Sequence, residues 1–330
     1  MSGRHIHRSE RAALLGVVIS AILLSGCHGG GAASTGSGAN SRLVAIISPA
    51  KTSEFHVELP KGAAAEAQKL GWPPIIDQAP QKESDYAGQV ALAQDIIQKQ
   101  PAAISVCGIN PDALNTIIQK ANAAGVPIFV HNQITPVKGN VVSYIGYDEL
   151  KGGEMCGAEA ASLLKQKNGA YKGEVAILDG EPGDHTDARA GGFKQALAKY
   201  PGIKVVAEQN GQWLRAPGTS ITRDWLQRFP GLDLVFGCSD AMAQGAAQAA
   251  RDSGRTLLTV GIDGNSDSLK DISQGKMTAT LATQPRKMGQ AIIDTMNLYF
   301  QEKKAPKVVE TPCVIVTKAN VGQFLQPSSP

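Results

Sequence analysis

The residues best able to do chemistry in this chain stand just past its apolar runs. Gly180-Glu181-Pro182-Gly183-Asp184-His185 puts carboxylates and an imidazole within six positions. Such a set could do acid–base work or hold a metal. The competing reading is a strand-to-helix turn whose Asp or Thr caps the next helix. Cys107, Cys156, Cys238 and Cys313 are four thiols spread over some 200 residues, with no Cys-x-x-Cys pair and no His at ligand spacing. No zinc site is expected from them. Each lies in or beside an apolar segment, where a free thiol behaves as a small hydrophobe; a disulfide is the alternative. There is no Gly-x-Ser-x-Gly elbow, no phosphate loop ending in Gly-Lys-Ser/Thr and no His-Glu-x-x-His. No cofactor and no metal are expected.

The elements that must position these residues alternate regularly. Strand-like apolar runs fall at 42–48, 73–78, 102–108, 126–132, 140–148, 173–180, 203–209, 232–240, 256–263, 277–283 and 309–317. Helical spacing falls at 53–71, 83–100, 110–125, 149–167, 187–201, 216–230, 241–254, 265–275 and 286–304. Ser53 and Ser84 read as N-caps and Gly71 as a stop. Pro60 should kink or limit the first helix. This alternation predicts an α/β protein of two doubly wound parallel-sheet lobes with helices on both faces.

In open α/β sheets a ligand sits beyond the carboxyl ends of the strands. Those ends are Ser48 to Phe55, Cys107, His131-Asn132-Gln133, the 180–187 loop, Gln212-Trp213, Ser239-Asp240, Asp263 and Thr283-Gln284. One at a time, turn and cap chemistry explains them. As a set, with Phe55 and Trp213 among them, they describe a wet, aromatic-edged cleft between two lobes.

From about Arg42 to about Val321 the chain resembles the ribose- and galactose-binding type of periplasmic binding protein, the type I solute receptors of ABC importers. The marks are Val126-Pro127-Ile128 after Ala124-Gly125, Arg189-Ala190-Gly191-Gly192-Phe193, the run Val235 to Ala246, Val260-Gly261-Ile262-Asp263-Gly264, and Ala279 to Gly289. The resemblance implies two lobes, a three-crossing hinge near Asp148, Thr283 and Pro312, and closure over a ligand. The N-terminal lobe would be 42–148 with 284–312, and the C-terminal lobe 149–283 with 313–330. By the same resemblance the ligand positions are Ser48, Phe55, His56, Asn132, Gln133, Asp187, Trp213, Ser239, Asp263, Thr283 and Gln284, with Arg189 kept as a helix partner. Ring faces and two carboxylates, Asp187 and Asp263, remain where relatives also use arginines. A neutral polyhydroxy solute (sugar, polyol or cyclitol) is therefore expected, with an amino-bearing cationic solute as the alternative. An enzyme built on the acid pair Asp187 and Asp263 is not expected, because hydrogen-bonding hydroxyls is the commoner duty of such pairs in this fold.

The N-terminus suggests where such a protein works. Arg4, Arg8 and Arg11 precede the apolar block 14–24, which has signal-peptide length. It is too short for a spanning helix, which needs about 20 apolar residues. Leu24-Ser25-Gly26-Cys27 resembles the lipobox of bacterial lipoproteins. That implies cleavage of 1–26, acylation of Cys27, and a flexible Gly/Ser/Ala tether over 27–41. The mature chain would carry 29 Lys+Arg against 28 Asp+Glu. A near-zero balance argues against nucleic acid as a partner. The expected partners are a small solute and an ABC permease, with attachment to a bacterial membrane by lipid only, on the periplasmic or exterior face, as a monomer. A sensor delivering the same ligand to a membrane receptor is the alternative. The expected signal peptide and the lack of an N-terminal helix-turn-helix argue strongly against a transcriptional regulator.

Overall fold

Val44–Ile47 (β1) is four apolar residues buried on both faces, which only an interior strand of a covered sheet permits. The computed structural model describes residues 42–325. The expected signal peptide, the Cys27 lipidation site and the 27–41 tether lie outside the described residues, as do the last five positions.

After β1 come α1 (Glu54–Lys69), β2 (Ile76–Gln78), α2 (Tyr86–Gln98), β3 (Ala103–Val106), α3 (Pro111–Ala123), β4 (Ile128–His131) and β5 (Tyr144–Gly146). The alternation continues through α4 (Glu149–Asn168), β6 (Lys172–Asp179), α5 (Asp184–Leu197), β7 (Gly202–Asn210), α6 (Arg215–Arg228), β8 (Leu232–Gly237), α7 (Asp240–Asp252), β9 (Leu258–Asp263), α8 (Ser266–Ser273) and β10 (Ala279–Ala282). It ends with α9 (Pro285–Glu302), β11 (Val308–Glu310) and β12 (Val314–Thr317).

Two six-stranded sheets result, ordered β11-β5-β4-β3-β1-β2 and β12-β10-β9-β8-β6-β7. The chain passes between them after β5, after β10 and between β11 and β12. The first sheet is parallel throughout, whereas β12 runs antiparallel to β10. The single strand expected over 309–317 is two strands on two sheets. Pro312 falls at the break, and it has no N–H to offer a ladder.

Pro60 lies inside α1 without ending it. The carbonyl its missing N–H would have paired is that of His56, and Lys51 Nζ donates to it at 2.9 Å. The buried stripe Phe55-Leu59-Ala63-Ala67 holds the helix on its sheet. Ser53 is the N-cap of α1, accepting from the Phe55 N–H. The cap of α2 is Asp85 rather than Ser84, accepting from the Gly88 N–H at 2.8 Å. A carboxylate suits the positive end of a helix better than a hydroxyl.

Helices α4 and α5 cross at near backbone contact. A Cβ on Gly153 would lie 2.2 Å from the Arg189 carbonyl oxygen, and one on Gly192 would lie 2.0 Å from that of Leu150. These two glycines bring the start of α4 against the middle of α5, and Glu149 meets His185 and Arg189 beside that crossing.

Candidate functional site

A cavity opens where the strand ends of the two sheets face each other. About 50 Å³ of it can be reached by the centre of a water molecule. The N-terminal lobe contributes Phe55, His56, Glu83, Ile109 and Asn132. The C-terminal lobe contributes Glu181, His185, Arg189, Trp213, Ser239 and Asp263. The lobes touch at its rim. The Ser266 N–H, at the start of α8, donates to both oxygens of Glu54 at 3.1 Å. His185 Nε2 lies 3.7 Å from Cys107 Sγ. The cleft is therefore closed.

Of the residues expected here, Phe55, His56, Asn132, Trp213, Ser239 and Asp263 line this cavity. Five others do not. Ser48 is buried beside β2, its N–H donating to the Gln78 carbonyl. Gln133 turns to the Thr135 carbonyl at 3.2 Å. Thr283 donates its hydroxyl to the Asp263 carbonyl at 3.1 Å, supporting that residue from behind. Gln284 reaches the Pro312 carbonyl at 3.4 Å, between two hinge strands. Asp187 is exposed to solvent. Its helix starts at Asp184, three residues earlier than the sequence suggested. His185 and Arg189, spaced i and i+4, then share the face toward the cavity, and Asp187 falls off it.

The cluster behind that face carries most of the charge. Glu149 is the first residue of α4. Its Oε1 accepts from Arg189 Nε at 2.8 Å and Nη2 at 2.7 Å, and its Oε2 pairs with His185 Nδ1 at 2.7 Å. Burial alone would raise the Glu149 carboxyl, but His185 and Arg189 outweigh it and hold it at about 2. Burial likewise opposes charge on His185, yet Glu149 and then Cys107 keep its pKa well above the usual imidazole range. Arg189 also donates to the Cys238 carbonyl at 2.9 Å and lies 5.3 Å from the Trp213 ring centre. It is chiefly a positioning residue.

Trp213 is set by its backbone. Gln212 and Trp213 both have positive φ, 59° and 61°, and Asn210 Oδ1 accepts from the Gln212 N–H at 2.7 Å. The ring packs on Gly180, where a Cβ would lie 1.9 Å from ring carbons. Asn132 (φ 65°) and Asp263 (φ 142°) are strained too. Such conformations persist only where surroundings enforce them, and they gather at functional sites. Asp240 enforces that of Asp263. Its own N–H donates to Asp263 Oδ2 at 3.2 Å, while its carboxylate accepts from the Gly264 and Asn265 N–H groups at 2.9 Å. Burial, then Asp240, pushes the Asp263 carboxyl well up; burial raises Asp240 itself to about 6.

On the opposite wall, His56 and Asn132 are 7% and 4% exposed, and His56 Nδ1 and Asn132 Oδ1 have no partner in the protein. Burial drives the His56 pKa well down, so the ring is neutral. Buried Gln89 ties the strand ends together, donating to the Cys107 carbonyl at 2.9 Å and accepting from the Ile109 N–H at 3.0 Å. Burial pushes Glu83 up to about 7, against the pull of His185 and Arg189. Glu83 and Gln89 went unread in the sequence, because both sit among ordinary polar residues of α2 and its approach. Among the described residues no cluster of His, Cys, Asp and Glu could hold a metal ion. The four described cysteines are free thiols.

Residues 44–304 match the family of the periplasmic binding protein domain. The chain is 33% identical to the ribose import binding protein of Bacillus subtilis, over 80% of this chain and 83% of the relative. It is 30% identical to the D-allose-binding periplasmic protein of Escherichia coli, over 80% and 86%. A carbohydrate transporter solute-binding protein from Agrobacterium radiobacter, in complex with D-arabinose, superposes with a TM-score of 0.80 at 26% identity, covering 86% of this chain and 97% of that one. The fold thus has its counterpart in proteins of known role, and the chain belongs to the periplasmic binding protein family, among the sugar-binding proteins of ABC importers.

Proposed function

We propose that this protein captures a small polyhydroxy solute, a sugar, polyol or cyclitol, between its two lobes and delivers it to an ABC permease. The observation that carries the reading is the shared cavity. Both lobes supply polar groups to it, and two buried ones, His56 Nδ1 and Asn132 Oδ1, have no protein partner. Buried polar groups are ordinarily satisfied, and ligand hydroxyls would satisfy these. The ligand-contacting residues are then Phe55, His56, Asn132, Trp213, Ser239 and Asp263, with Glu83, Glu181 and His185 added to the set. Relatives named for ribose and D-allose support the solute class.

Contacts made only in the closed form shift an open–closed equilibrium toward closure. The protein is a binding protein rather than an enzyme. It works as a monomer on the outer side of a bacterial membrane, held by lipid on Cys27, with lobes of 42–148 plus 284–312 and 149–283 plus 313–330.

The test is thermal unfolding of the full chain in detergent against D-ribose, D-allose, D-arabinose, glycerol and myo-inositol. A ligand of the native state adds about 2.7 kcal/mol at a hundredfold excess over Kd. A raised midpoint with at least one compound is expected, abolished in Asp263→Ala. A cooperative transition unmoved by every one would overturn the solute class.

A further inference from the structure

The carboxyl groups around the cavity are not all matched. Glu83, Glu181 and Asp263 line it, with Glu149 directly behind. Glu149 engages both nearby cations, Arg189 and His185, and burial with Asp240 favours the protonated form of Asp263, so Glu83 and Glu181 are the two carboxyls with no cation bound to them. Lys51, the next cation, is paired with Asp77 at 2.5 Å. Glu83 comes from the N-terminal lobe and Glu181 from the C-terminal lobe, so closure itself brings like charges to one small space. Each is held from its own side only, Glu83 by the Thr52 hydroxyl at 3.5 Å and Glu181 by Asn210 Nδ2 at 3.3 Å. Asn132 Oδ1, buried and unpartnered, adds another acceptor on the same wall. Two carboxyls without a cation and one unpartnered acceptor face a single small space, which calls for a donor-rich, positively charged occupant.

Building on the reading of this cavity as the solute site, we infer that the preferred solute is a polyhydroxy compound bearing a protonated amine, seated where Glu83 and Glu181 meet across the closed cleft. An ammonium group there offers three N–H donors and no acceptor. It turns the repulsion that closure creates into two attractions, so the charge that selects the ligand also drives the lobes together. Desolvated charge pairs discriminate strongly against an isostere that leaves them unmatched. The raised Glu83 carboxyl fits this, since a group held partly protonated when no cation is near releases its proton to solvent when an ammonium binds beside it.

The experiment is calorimetric titration of the full chain in detergent at pH 7 with matched pairs: D-glucosamine and D-glucose, D-galactosamine and D-galactose, D-mannosamine and D-mannose, serinol and glycerol, streptamine and scyllo-inositol. Each is run in two buffers of different ionisation enthalpy. In at least one pair the amine should bind tenfold or more tighter than its hydroxy partner, with net proton release. Glu83→Gln and Glu181→Gln should each shrink that ratio at least fivefold. A neutral compound that binds as tightly as its amine, or more tightly as the pH falls, would mean that protons rather than an amine quench the carboxylates; that overturns the inference and leaves the proposed function standing. Binding by neither member of any pair, nor by any sugar of the thermal series, overturns the proposed function itself.

Discussion

Replacing Glu149 by glutamine probes the cluster that aims the cavity wall. The carboxylate serves Arg189 through one oxygen and His185 through the other. An amide keeps one acceptor and turns two N–H donors toward His185, leaving two buried cations uncompensated. A carboxyl held at about 2 rather than its ordinary 4.5 is favoured by roughly 3 kcal/mol, at about 1.4 kcal/mol per tenfold in the proton equilibrium. Loss of one partner from a buried pair independently costs about 3–5 kcal/mol. The two routes agree, and Glu149→Gln is expected to lose about 3 kcal/mol at pH 7. The folded value lies below the unfolded one, so this contribution is complete above pH 4.5 and is lost as the pH falls toward 2. Urea unfolding of parent and variant between pH 7 and pH 2.5 should show a gap that closes on acidification. His185 acts with the opposite sign. Its raised folded value makes its contribution full below pH 6.5 and lost at alkaline pH. A gap under about 1 kcal/mol at pH 7, the scale of an exposed pair, or one that acid leaves unchanged, would refute the assignment of Glu149 as the buried anchor.

Gly180→Ala places a methyl inside the Trp213 ring and should weaken ligand binding by at least about tenfold, or 1.4 kcal/mol; unaltered affinity and tryptophan emission would show the ring position to be irrelevant. Lys51→Met strips the His56 carbonyl of its donor and should cost about 1–3 kcal/mol in denaturant unfolding, more than Pro60→Ala, which removes nothing that is paired; the reverse order would deny Lys51 its role. Glu54→Gln weakens the rim contact to Ser266 and should loosen ligand binding about fivefold by titration, the scale of one net hydrogen bond; an unchanged Kd would show that closure does not use it. Glu83 is raised to about 7, so its own contribution to the stability of the closed chain is full below pH 4.5 and is lost as the pH rises through 7. Glu83→Gln should flatten that decline, and parallel profiles for parent and variant would argue against it.

The alternation of apolar runs specified both sheets, since the fully buried strands, such as Val44–Ile47, Ala103–Val106 and Ala279–Ala282, are short and mainly apolar and lie between turn residues. The strand ends located the cleft for the same reason: chain direction alone puts them on one side. What local pattern does not encode is where a helix starts within a polar turn. Gly183-Asp184-His185 reads as loop, yet Gly183 takes a positive φ of 156° that suits glycine, and Asp184 begins α5. That shift moved the expected contact from Asp187 to His185. Glu149 looked like an ordinary acid in a first helical turn, and only the glycine crossing of α4 on α5, a long-range event, buries it. Glu83 lies outside regular structure, and its place depends on closure.

The three crossings also bear on the order in which the molecule can assemble. The N-terminal lobe is completed by α9 and β11, which begin only at Pro285. Helix α9 packs on α1 where Gly62 and Gly289 let the backbones meet, and β11 pairs with β5. Until that late segment exists, the nascent first lobe presents an uncovered helix face and an open sheet edge, the features that invite misassociation. These pairings close loops of over 150 residues, and contacts of that span form slowly. Folding of the first half must wait for nearly the whole chain, a delay that suits a family whose members work in the periplasm and must cross a membrane before they close on themselves.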